Sequence, residues 1–275
     1  MFCTTGETPV ESSASKKELM DLYHKQKLSY SQIARKYDCT ASIIFDKMKR
    51  YNIKPRDASE ANTIYPKKDF SGNLIEKAYL IGFRLGDLNV KKEGHLVKIK
   101  SNTTKIGQVN LIKSLFIKYG RVNARNYKNK FFSIDIGLNK SFSFLIAKND
   151  DIKKWVLRNN NYFLAFLAGY IDAEGNIGVY SNRARLRIGS YDKNLLKKMH
   201  KKLLSLRIHN IYKIETFAGT NNQNQDFWRV SINKKGDILK LFKMIKPLIK
   251  HPKRCKDLKI AEENIILRIK RDKNR

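Results

Sequence analysis

The sequence predicts an α+β protein built from a duplicated αββαββα unit, preceded by a small all-α domain. A helix-forming segment occurs twice, with one constant offset of 87 residues. The same order of alternating strands and amphipathic helices follows each copy. A separate helical pattern comes before the first copy. A length of 275 residues is consistent with two domains of ordinary size.

The chain carries a large excess of positive charge. Its 57 Lys and Arg residues oppose 25 Asp and Glu residues, which gives a formal net charge of +32. A polyanionic partner relieves repulsion on this scale, and basic surfaces supply most of the non-specific affinity for phosphate backbones. Hydrophobic residues make up 41% of the chain, which is enough for a packed core. We therefore expect a folded protein that binds nucleic acid.

The cysteines and the lengths of the apolar runs indicate where in the cell the protein is expected. Cys3, Cys39 and Cys255 are scattered, so they predict neither a disulfide framework nor a zinc site. The apolar runs are too short to span a bilayer, and the N-terminus lacks the pattern of a signal peptide. The five histidines show no metal-ligand spacing, and no role is predicted for them. We expect an intracellular protein, of the cytoplasm, nucleoid or an organelle, with no membrane partner.

The first 56 residues predict a flexible tail over 1–15 and a helical domain over 16–56. Ser31 is expected to cap one short helix and Ala41 to open the next, after a turn at 38–40. Two short helices around such a turn resemble the helix-turn-helix domains of resolvases and transposases. An ordinary helical hairpin with solvated charges is the alternative. Residues 57–72 are expected to be a linker, and the predicted DNA contacts of this domain are Ser42, Lys47, Lys49, Arg50 and Arg56.

The repeated segments, AYLIGFRLGDLNV from residue 78 and AFLAGYIDAEGNI from residue 165, carry small residues at every fourth position. Residues four apart share a helix face, and a face without side-chain bulk lets two backbones approach closely. We expect the two helices to pack face to face about a pseudo-twofold axis. The halves then span 73–158 and 159–250, and a basic C-terminal helix spans 251–275. The predicted interface residues are Ala78, Gly82, Gly86, Ala165, Gly169 and Ala173.

An acidic residue follows each run of small residues: Asp87 in the first copy and Glu174 in the second. Close helix packing brings these carboxylates together at two helix C-termini, where charge repulsion and the helix dipoles both disfavour them. A divalent cation removes both objections, and carboxylates with the backbone carbonyls of Gly86 and Ala173 suit Mg²⁺ or Mn²⁺. The alternative is an acid pair neutralised by Lys or Arg, or by a proton. The repeat favours a metal site that activates water near a phosphodiester.

Several strands alternate basic or polar residues with apolar ones, as in HLVKIKS and RARLRIG. Period-two alternation places one set in the core and the other on an exposed sheet face, which can lie in a DNA major groove. An ordinary solvated sheet face is the alternative. The predicted DNA contacts of the two halves are Lys98, Lys100, Arg121, Asn123, Arg125, Arg183, Arg185, Arg187 and Arg229.

AYLIGFRLGDL and FLAFLAGYIDAEG resemble the two signature helices of single-chain LAGLIDADG homing endonucleases. The second motif is nearly complete, whereas the first has Arg84 and Leu85 in its middle and Leu88 in place of the final glycine. The resemblance covers about residues 74–250. It implies the homing-endonuclease fold, in which the sheets form a saddle. It also implies a monomer that cuts double-stranded DNA site-specifically with Mg²⁺, with Asp87 and Glu174 in metal binding and catalysis.

The same resemblance implies a basic residue near each catalytic centre, just after the fourth strand of each half. Lys140 occupies this place in the first half, and Lys234 or Lys235 in the second. A helix-starting surface lysine is the equal alternative for each.

Three other functions compete with DNA cleavage. A maturase would bind intron RNA on the same surface and assist splicing. A cleavage-inactive regulator would keep the fold and bind DNA, but it has no use for Asp87 and Glu174. A recombinase or transposase is disfavoured because the sequence shows no nucleophilic Ser or Tyr constellation and no third catalytic acid. A gene located inside an intron or intein would favour homing.

Overall fold

The structure is a computed structural model, and it describes residues 14–56, 67–128, 130–220 and 223–274. Two compact units span residues 1–65 and 66–275. Most of the predicted tail and residues 57–66 of the predicted linker lie outside the described residues. No helix in the described part of the chain has the length and apolar character needed to cross a membrane.

The first unit is all-α. Helix α1 (Lys16–Met20) continues into a wider π-helical turn (Asp21–Lys25), and α2 (Tyr30–Lys36) and α3 (Ala41–Arg50) follow. A small apolar core joins the helices, and its buried side chains include Leu19, Tyr23, Ile33, Ile44 and Met48. The turn between α2 and α3 contains Asp38 at a φ of 47°, a left-handed conformation that Asp tolerates better than most residues. The helix-turn-helix interpretation stays a prediction for this arrangement.

One predicted boundary in this unit is wrong. Helix α2 is capped by Ser29 rather than Ser31, because Ser29 and Gln32 form a reciprocal capping box. Helix α3 begins at Ala41, as predicted, and ends at Arg50, because Asn52 adopts a left-handed backbone with a φ of 51°.

The prediction that Arg56 contacts DNA is also wrong. The residue is only 8% exposed, and its guanidinium carbon lies 4.2 Å from the centroid of the Tyr23 ring. The guanidinium also donates to the carbonyl oxygen of Leu28 at 2.8 Å. A cation over a desolvated aromatic ring, with a hydrogen bond to buried backbone, stabilises the unit. Arg56 therefore joins the end of the unit to its core.

The second unit contains the predicted duplication, and the predicted α+β class is confirmed. The first half comprises α4 (Leu74–Asp87), β1 (Asn89–Glu93), β2 (Leu96–Thr103), α5 (Ile106–Phe116), β3 (Val122–Tyr127), β4 (Phe131–Leu138) and a 3-10 helix (Lys140–Leu145). A short helix α6 (Lys154–Arg158) precedes the second half. That half comprises α7 (Asn160–Glu174), β5 (Asn176–Tyr180), β6 (Arg183–Ser190), α8 (Lys193–Ser205), β7 (Ile211–Thr216), β8 (Phe227–Ile232) and α9 (Lys235–Ile245), and α10 (Pro252–Lys273) follows.

Each half forms one antiparallel four-stranded sheet, and both have the same topology. The strand orders are β1-β2-β4-β3 and β5-β6-β8-β7. In the first sheet Ile99 pairs with Ile136, and in the second Leu186 pairs with Ile232. These side chains are buried in a common core. Because side chains alternate across a strand, the opposite face of each sheet carries the polar and basic residues.

Helices α4 and α7 pack closely through their small residues. A Cβ atom added to Gly82 would collide with the carbonyl oxygen of Phe166, and one added to Gly169 would collide with that of Tyr79. Tyr79 and Phe166, like the two glycines, are separated by the offset of 87 residues, so the contact is reciprocal about the pseudo-twofold axis. Both helix backbones approach to a distance that only glycine permits.

The start and end of the first half differ from the sequence prediction. The ring of Phe70, expected in the linker, packs against the rings of Tyr119, Phe142 and Phe144. Its backbone N–H donates to Ser141 Oγ at 2.9 Å. The packed unit therefore begins before residue 73. The segment expected to form the last helix of this half is a 3-10 helix.

The substitution Gly169→Ala should destabilise the second unit by roughly 1–3 kcal/mol, because its methyl group has no space against the Tyr79 carbonyl. Urea unfolding followed by tryptophan fluorescence measures this, since Trp155 and Trp228 are the only tryptophans and both lie in the second unit. Gly236→Ala is the matched control, because its added Cβ meets nothing within 4 Å. Removing a helix glycine there should leave stability unchanged or raise it by up to ~1 kcal/mol. Equal effects at both positions would contradict the close packing.

Candidate functional site

The two acidic residues end the two central helices: Asp87 is the last residue of α4, and Glu174 is the last residue of α7. Gly86 lies against the second helix end. A Cβ atom at this position would collide with Ala173 Cβ and would lie 2.8 Å from Glu174 Cγ. The absence of a side chain at Gly86 thus lets the two carboxylate-bearing helix ends lie side by side.

The Asp87 carboxylate is partly buried and has one close polar partner. The side-chain amide of Gln108, on α5, donates to Asp87 Oδ2. Burial, followed by the charge of Glu174, raises the pKa of Asp87 to about 7. The Gln108 hydrogen bond and the charges of Arg254 and Lys105 act in the opposite direction. Without a cation, this carboxyl therefore holds a proton over much of the range below neutral pH.

A cavity of about 90 Å³ lies beside Asp87 and combines acidic, basic and polar groups. Lys105 precedes α5, whereas three further residues belong to the beginning of α10. Burial lowers the pKa of His251, which keeps its imidazole neutral near pH 7. Its Nδ1 accepts from the Lys253 backbone N–H at 3.1 Å and so caps α10. The complete lining is Asp87, Ser101, Asn102, Thr103, Lys105, Gln108, Asp172, Ala173, His251, Lys253 and Arg254.

Asp172 is a second carboxylate of this cavity and is only 1% exposed. Its Oδ2 accepts from the Tyr79 hydroxyl at 2.6 Å and from the Lys250 backbone N–H at 2.7 Å. These bonds join α4, α7 and the segment before α10. Its Oδ1 is buried and has no hydrogen-bond partner among the described residues. Burial raises the pKa of Asp172, and the bonds from Tyr79 and the backbone oppose that shift.

The donor chemistry suits a divalent cation that is shared with a phosphate. Within the described ranges, no three side chains of His, Cys, Asp or Glu are grouped as a metal-binding set. Mg²⁺ is usually held by one or two carboxylates, several waters and substrate phosphate oxygens rather than by an all-protein cage. Asp87 and Glu174, with the unpaired oxygen of Asp172 nearby, fit that pattern. The assignment of the Gly86 and Ala173 carbonyl oxygens as ligands stays a prediction.

The two predicted catalytic lysines lie outside this cavity. Lys140 begins the 3-10 helix, and Lys234 is the N-cap residue of α9. Both are exposed, and neither is among the described residues that line the cavity. The ammonium group of Lys235 pairs with Asp272. Catalytic roles for Lys140 and Lys234 stay predictions.

The polar face of the first sheet carries the predicted residues of β2 and β3. Lys100 and Asn123 both lie opposite Asp135 in the central strand β4. Lys98 forms an ion pair with Asp135 at 2.8 Å, so one positive charge of this face is already neutralised. Arg125 is exposed further along β3, and Arg121 is exposed just before this strand.

The second sheet has a more strongly basic face. Its Arg183, Arg185 and Arg187 alternate with buried apolar residues along β6. The guanidinium carbon of Arg187 lies 4.6 Å from the centroid of the Tyr180 ring. Arg229, on β8, forms an ion pair with Glu215, which lowers its availability for another anion. DNA contacts of these residues stay a prediction.

In the first unit, four of the predicted DNA-contacting residues lie on α3. Ser42, Lys49 and Arg50 are exposed on this helix. Lys47 is half-buried, with its Nζ 5.9 Å from the centroid of the Tyr51 ring.

The fold and the site define a pseudosymmetric, duplicated α+β protein with paired carboxylates at the junction of its central helices and a polar or basic face on each sheet. Residues 161–246 match the family model of the LAGLIDADG-like domain. This match confirms the predicted LAGLIDADG resemblance over these residues of the second half.

Solved structures with similar chain traces include mesophilic variants of the homing endonuclease I-DmoI, at 17% sequence identity and a TM-score of 0.49. That alignment covers 68% of this chain and 99% of the I-DmoI chain. The homing endonuclease I-WcaI bound to its DNA recognition sequence has 17% identity and a TM-score of 0.48, and the alignment covers 68% of this chain and 86% of the I-WcaI chain. The N-terminal LAGLIDADG domain of DUF199/WhiA has 17% identity, a TM-score of 0.45 and coverage of 63% and 84%. A search of curated proteins finds no match. Likenesses at these TM-scores carry no conclusion on activity.

Sequence reasoning missed most of the cavity lining. Gln108 has no signal in the repeat, because the offset of 87 residues places Leu195 at the corresponding position. Arg254 lies beyond the repeat and approaches the site only through tertiary packing. Asp172 lies within the recognised motif, but its hydrogen-bond partners Tyr79 and Lys250 are 93 and 78 positions away from it in the sequence.

The raised pKa of Asp87 predicts a pH-dependent loss of stability in the metal-free protein. The folded state retains the proton up to about pH 7, whereas the unfolded chain releases it near 3.8. Stability therefore falls as pH rises between these values and is constant above them. Asp87→Asn removes this loss and should raise the free energy of unfolding at pH 8 by up to about 4 kcal/mol.

Urea unfolding with a chelator present, at pH 4 and pH 8, measures this effect through tryptophan fluorescence. The gain in the free energy of unfolding from Asp87→Asn should be much smaller at pH 4 than at pH 8. Asp69→Asn, which removes an exposed carboxylate from the same unit, is the control and should show no comparable gain. A variant at Asp87 that is no more stable than the wild type at pH 8 would contradict the buried, unfavourable carboxylate.

Proposed function

We propose that the protein is a site-specific DNA endonuclease that makes a double-strand break by Mg²⁺- or Mn²⁺-dependent hydrolysis. One observation carries the proposal. Asp87 and Glu174 end two helices whose backbones are in contact, and the repulsion between these carboxylates, together with burial at Asp87, disfavours the metal-free ionised state. A structural acid would be neutralised by a nearby cation, whereas the pKa of Asp87 stays raised despite the charges of Arg254 and Lys105.

The chain's own residues have separable roles in this proposal. Asp87 and Glu174 hold the cation, and Gln108 orients the Asp87 carboxylate through its amide. When bound, a divalent cation lowers the pKa of a bound water and neutralises charge on the leaving oxygen. Lys105 supplies positive charge to the phosphate without needing a proton transfer. The half-buried position of Asp87 limits the competing access of bulk water.

Recognition of a long, asymmetric target is assigned to the two sheets. Arg and Lys side chains on alternate strand positions can contact phosphates and donate to guanine, whereas Asn123 can pair with adenine. Because the two faces differ in sequence and charge, the bound site has no requirement for exact palindromy. The two sheets lie in the same unit as both carboxylates, so binding by the sheets and cleavage would share one hydrophobic core.

The proposal is tested by incubating the full chain and Mg²⁺ with a randomised duplex library and sequencing the cut ends. One preferred target should emerge. On that target, Asp87→Asn and Glu174→Gln should each lower the cleavage rate by at least about 10²-fold, because each removes a charge that acts on the transition state. Binding in chelator should weaken by no more than a few-fold.

Asp69→Asn is the control and should cleave at the wild-type rate. Selective binding without cleavage by the wild-type protein would overturn the enzymatic proposal and leave a DNA-binding protein. Normal cleavage by both acid variants would overturn the assignment of the two carboxylates.

The first unit is proposed to add phosphate contacts outside the central target. Lys49→Gln, on the exposed side of α3, should weaken binding similarly across target sequences and reduce the salt dependence of log K by about one unit per lost contact. Binding measured at a series of salt concentrations tests this expectation. Lys16→Gln is the charge-matched control on a different helix. An identical slope for the Lys49 variant and the wild type would remove α3 from the interface.

A further inference from the structure

The beginning of α10 reaches back to the end of α7. We call residues 250–254 the C-terminal junction. The backbone N–H of Lys250 donates to Asp172 Oδ2 at 2.7 Å, and Arg254 Nε donates to the carbonyl oxygen of Ile171 at 3.2 Å. A guanidinium at this position also interacts favourably with the negative end of the α7 dipole. The junction is therefore tied to the same helix end that carries Glu174.

These contacts hold the Arg254 guanidinium at the cavity beside Asp87. The Arg254 side chain is only 15% exposed, and its Nη1 lies 3.5 Å from Asp257 Oδ2 on the next turn of α10. A guanidinium has five N–H donors, so these contacts leave donors for another acceptor. Lys253 is different: its side chain is 56% exposed and forms a 2.7 Å ion pair with Asp257. Arg254 is the better-fixed cation of the two.

The same cavity also carries carboxylates. Asp172 Oδ1 is buried without a hydrogen-bond partner among the described residues, and Asp87 lines the same volume. An anion alone would be repelled by these carboxylates, and a cation alone by Arg254. A phosphate bound to a divalent cation would satisfy both kinds of charge, because the carboxylates suit the cation and the guanidinium suits the phosphate oxygens.

We propose that Arg254 binds the scissile phosphate at the Asp87 centre, which makes the C-terminal junction part of one catalytic centre. The inference rests on the proposed nuclease function. It gives this centre a phosphate-binding residue from outside the repeat, in addition to Lys105 and in place of Lys140.

The second centre is built from different residues. At the offset of 87 residues, Asp192 replaces Lys105 and Leu195 replaces Gln108. Asp192 occupies the N-cap position of α8 without a capping hydrogen bond from its side chain, and its Oδ2 accepts from the Ser190 hydroxyl at 3.2 Å. The repeat ends before the C-terminal junction, so the sequence contains no second copy of Arg254. The two DNA strands should therefore depend unequally on this residue.

Strand-resolved cleavage tests the proposal. On the selected target, with each strand labelled separately, Arg254→Gln should slow cleavage of one strand by about 10²-fold, the usual cost of losing one transition-state donor. The other strand should change by no more than about threefold. Arg254→Lys should restore part of the lost rate, because it keeps the charge but not the planar fork. Lys259→Gln, an exposed charge loss on the same helix, should cut both strands normally.

A binding measurement that needs no cleavage separates this proposal from the nuclease proposal. Methyl phosphate and Mg²⁺ together should raise the Tm of the wild-type protein by more than the sum of their separate effects. Arg254→Gln should lose that additional rise, and Lys259→Gln should keep it. Each Tm shift is taken relative to the same variant without ligand, so a general loss of stability does not affect the comparison.

Three results would decide against Arg254. Equal slowing of both strands would indicate that it only caps α7, as would an unchanged additional Tm rise in Arg254→Gln. Normal cleavage of both strands would remove it from the site. If the wild-type chain cuts no DNA but the additional Tm rise depends on Arg254, the nuclease proposal fails while the phosphate site stands.

Discussion

The backbone contact between α4 and α7 is the constraint on which the rest of the structure depends. Gly82 meets the Phe166 carbonyl and Gly169 meets the Tyr79 carbonyl, and no other residue type has space at either position. This reciprocal contact sets the pseudo-twofold axis and joins the two halves in one core. It also places two acidic helix ends together, so the packing that stabilises the fold creates the electrostatic conflict at the site.

Polar groups from several elements limit the cost of that conflict. Gln108 donates to Asp87, and the Tyr79 hydroxyl and Lys250 N–H donate to Asp172. None of these groups neutralises a carboxylate completely, and burial still raises the pKa of both. Full compensation by a lysine or arginine would stabilise the metal-free protein but would compete with a cation for the same oxygens. The partial compensation keeps the carboxylates available.

The two halves resemble each other more in topology than in the side chains near their acidic residues. Both sheets have the same strand order, and α4 and α5 of the first half correspond to α7 and α8 of the second. Yet Asp192 stands where the first half has Lys105, and the C-terminal junction lines the cavity beside Asp87. A pseudosymmetric backbone thus supports two unequal local environments, because side chains are free to diverge wherever helix packing does not depend on them.

The sequence by itself determined the features that depend on local periodicity. Small residues every fourth position predicted the helix contact, alternation along β2 and β6 predicted the two faces of each sheet, and the repeat placed Asp87 and Glu174 in equivalent positions. Tertiary structure alone decided which groups surround them. Gln108, Arg254 and the hydrogen bonds of Asp172 depend on contacts between distant parts of the chain, and Arg56 was misassigned because its charge suggested a surface that burial against Tyr23 excludes. Periodicity is encoded between near neighbours, whereas such contacts appear only once the whole core has packed.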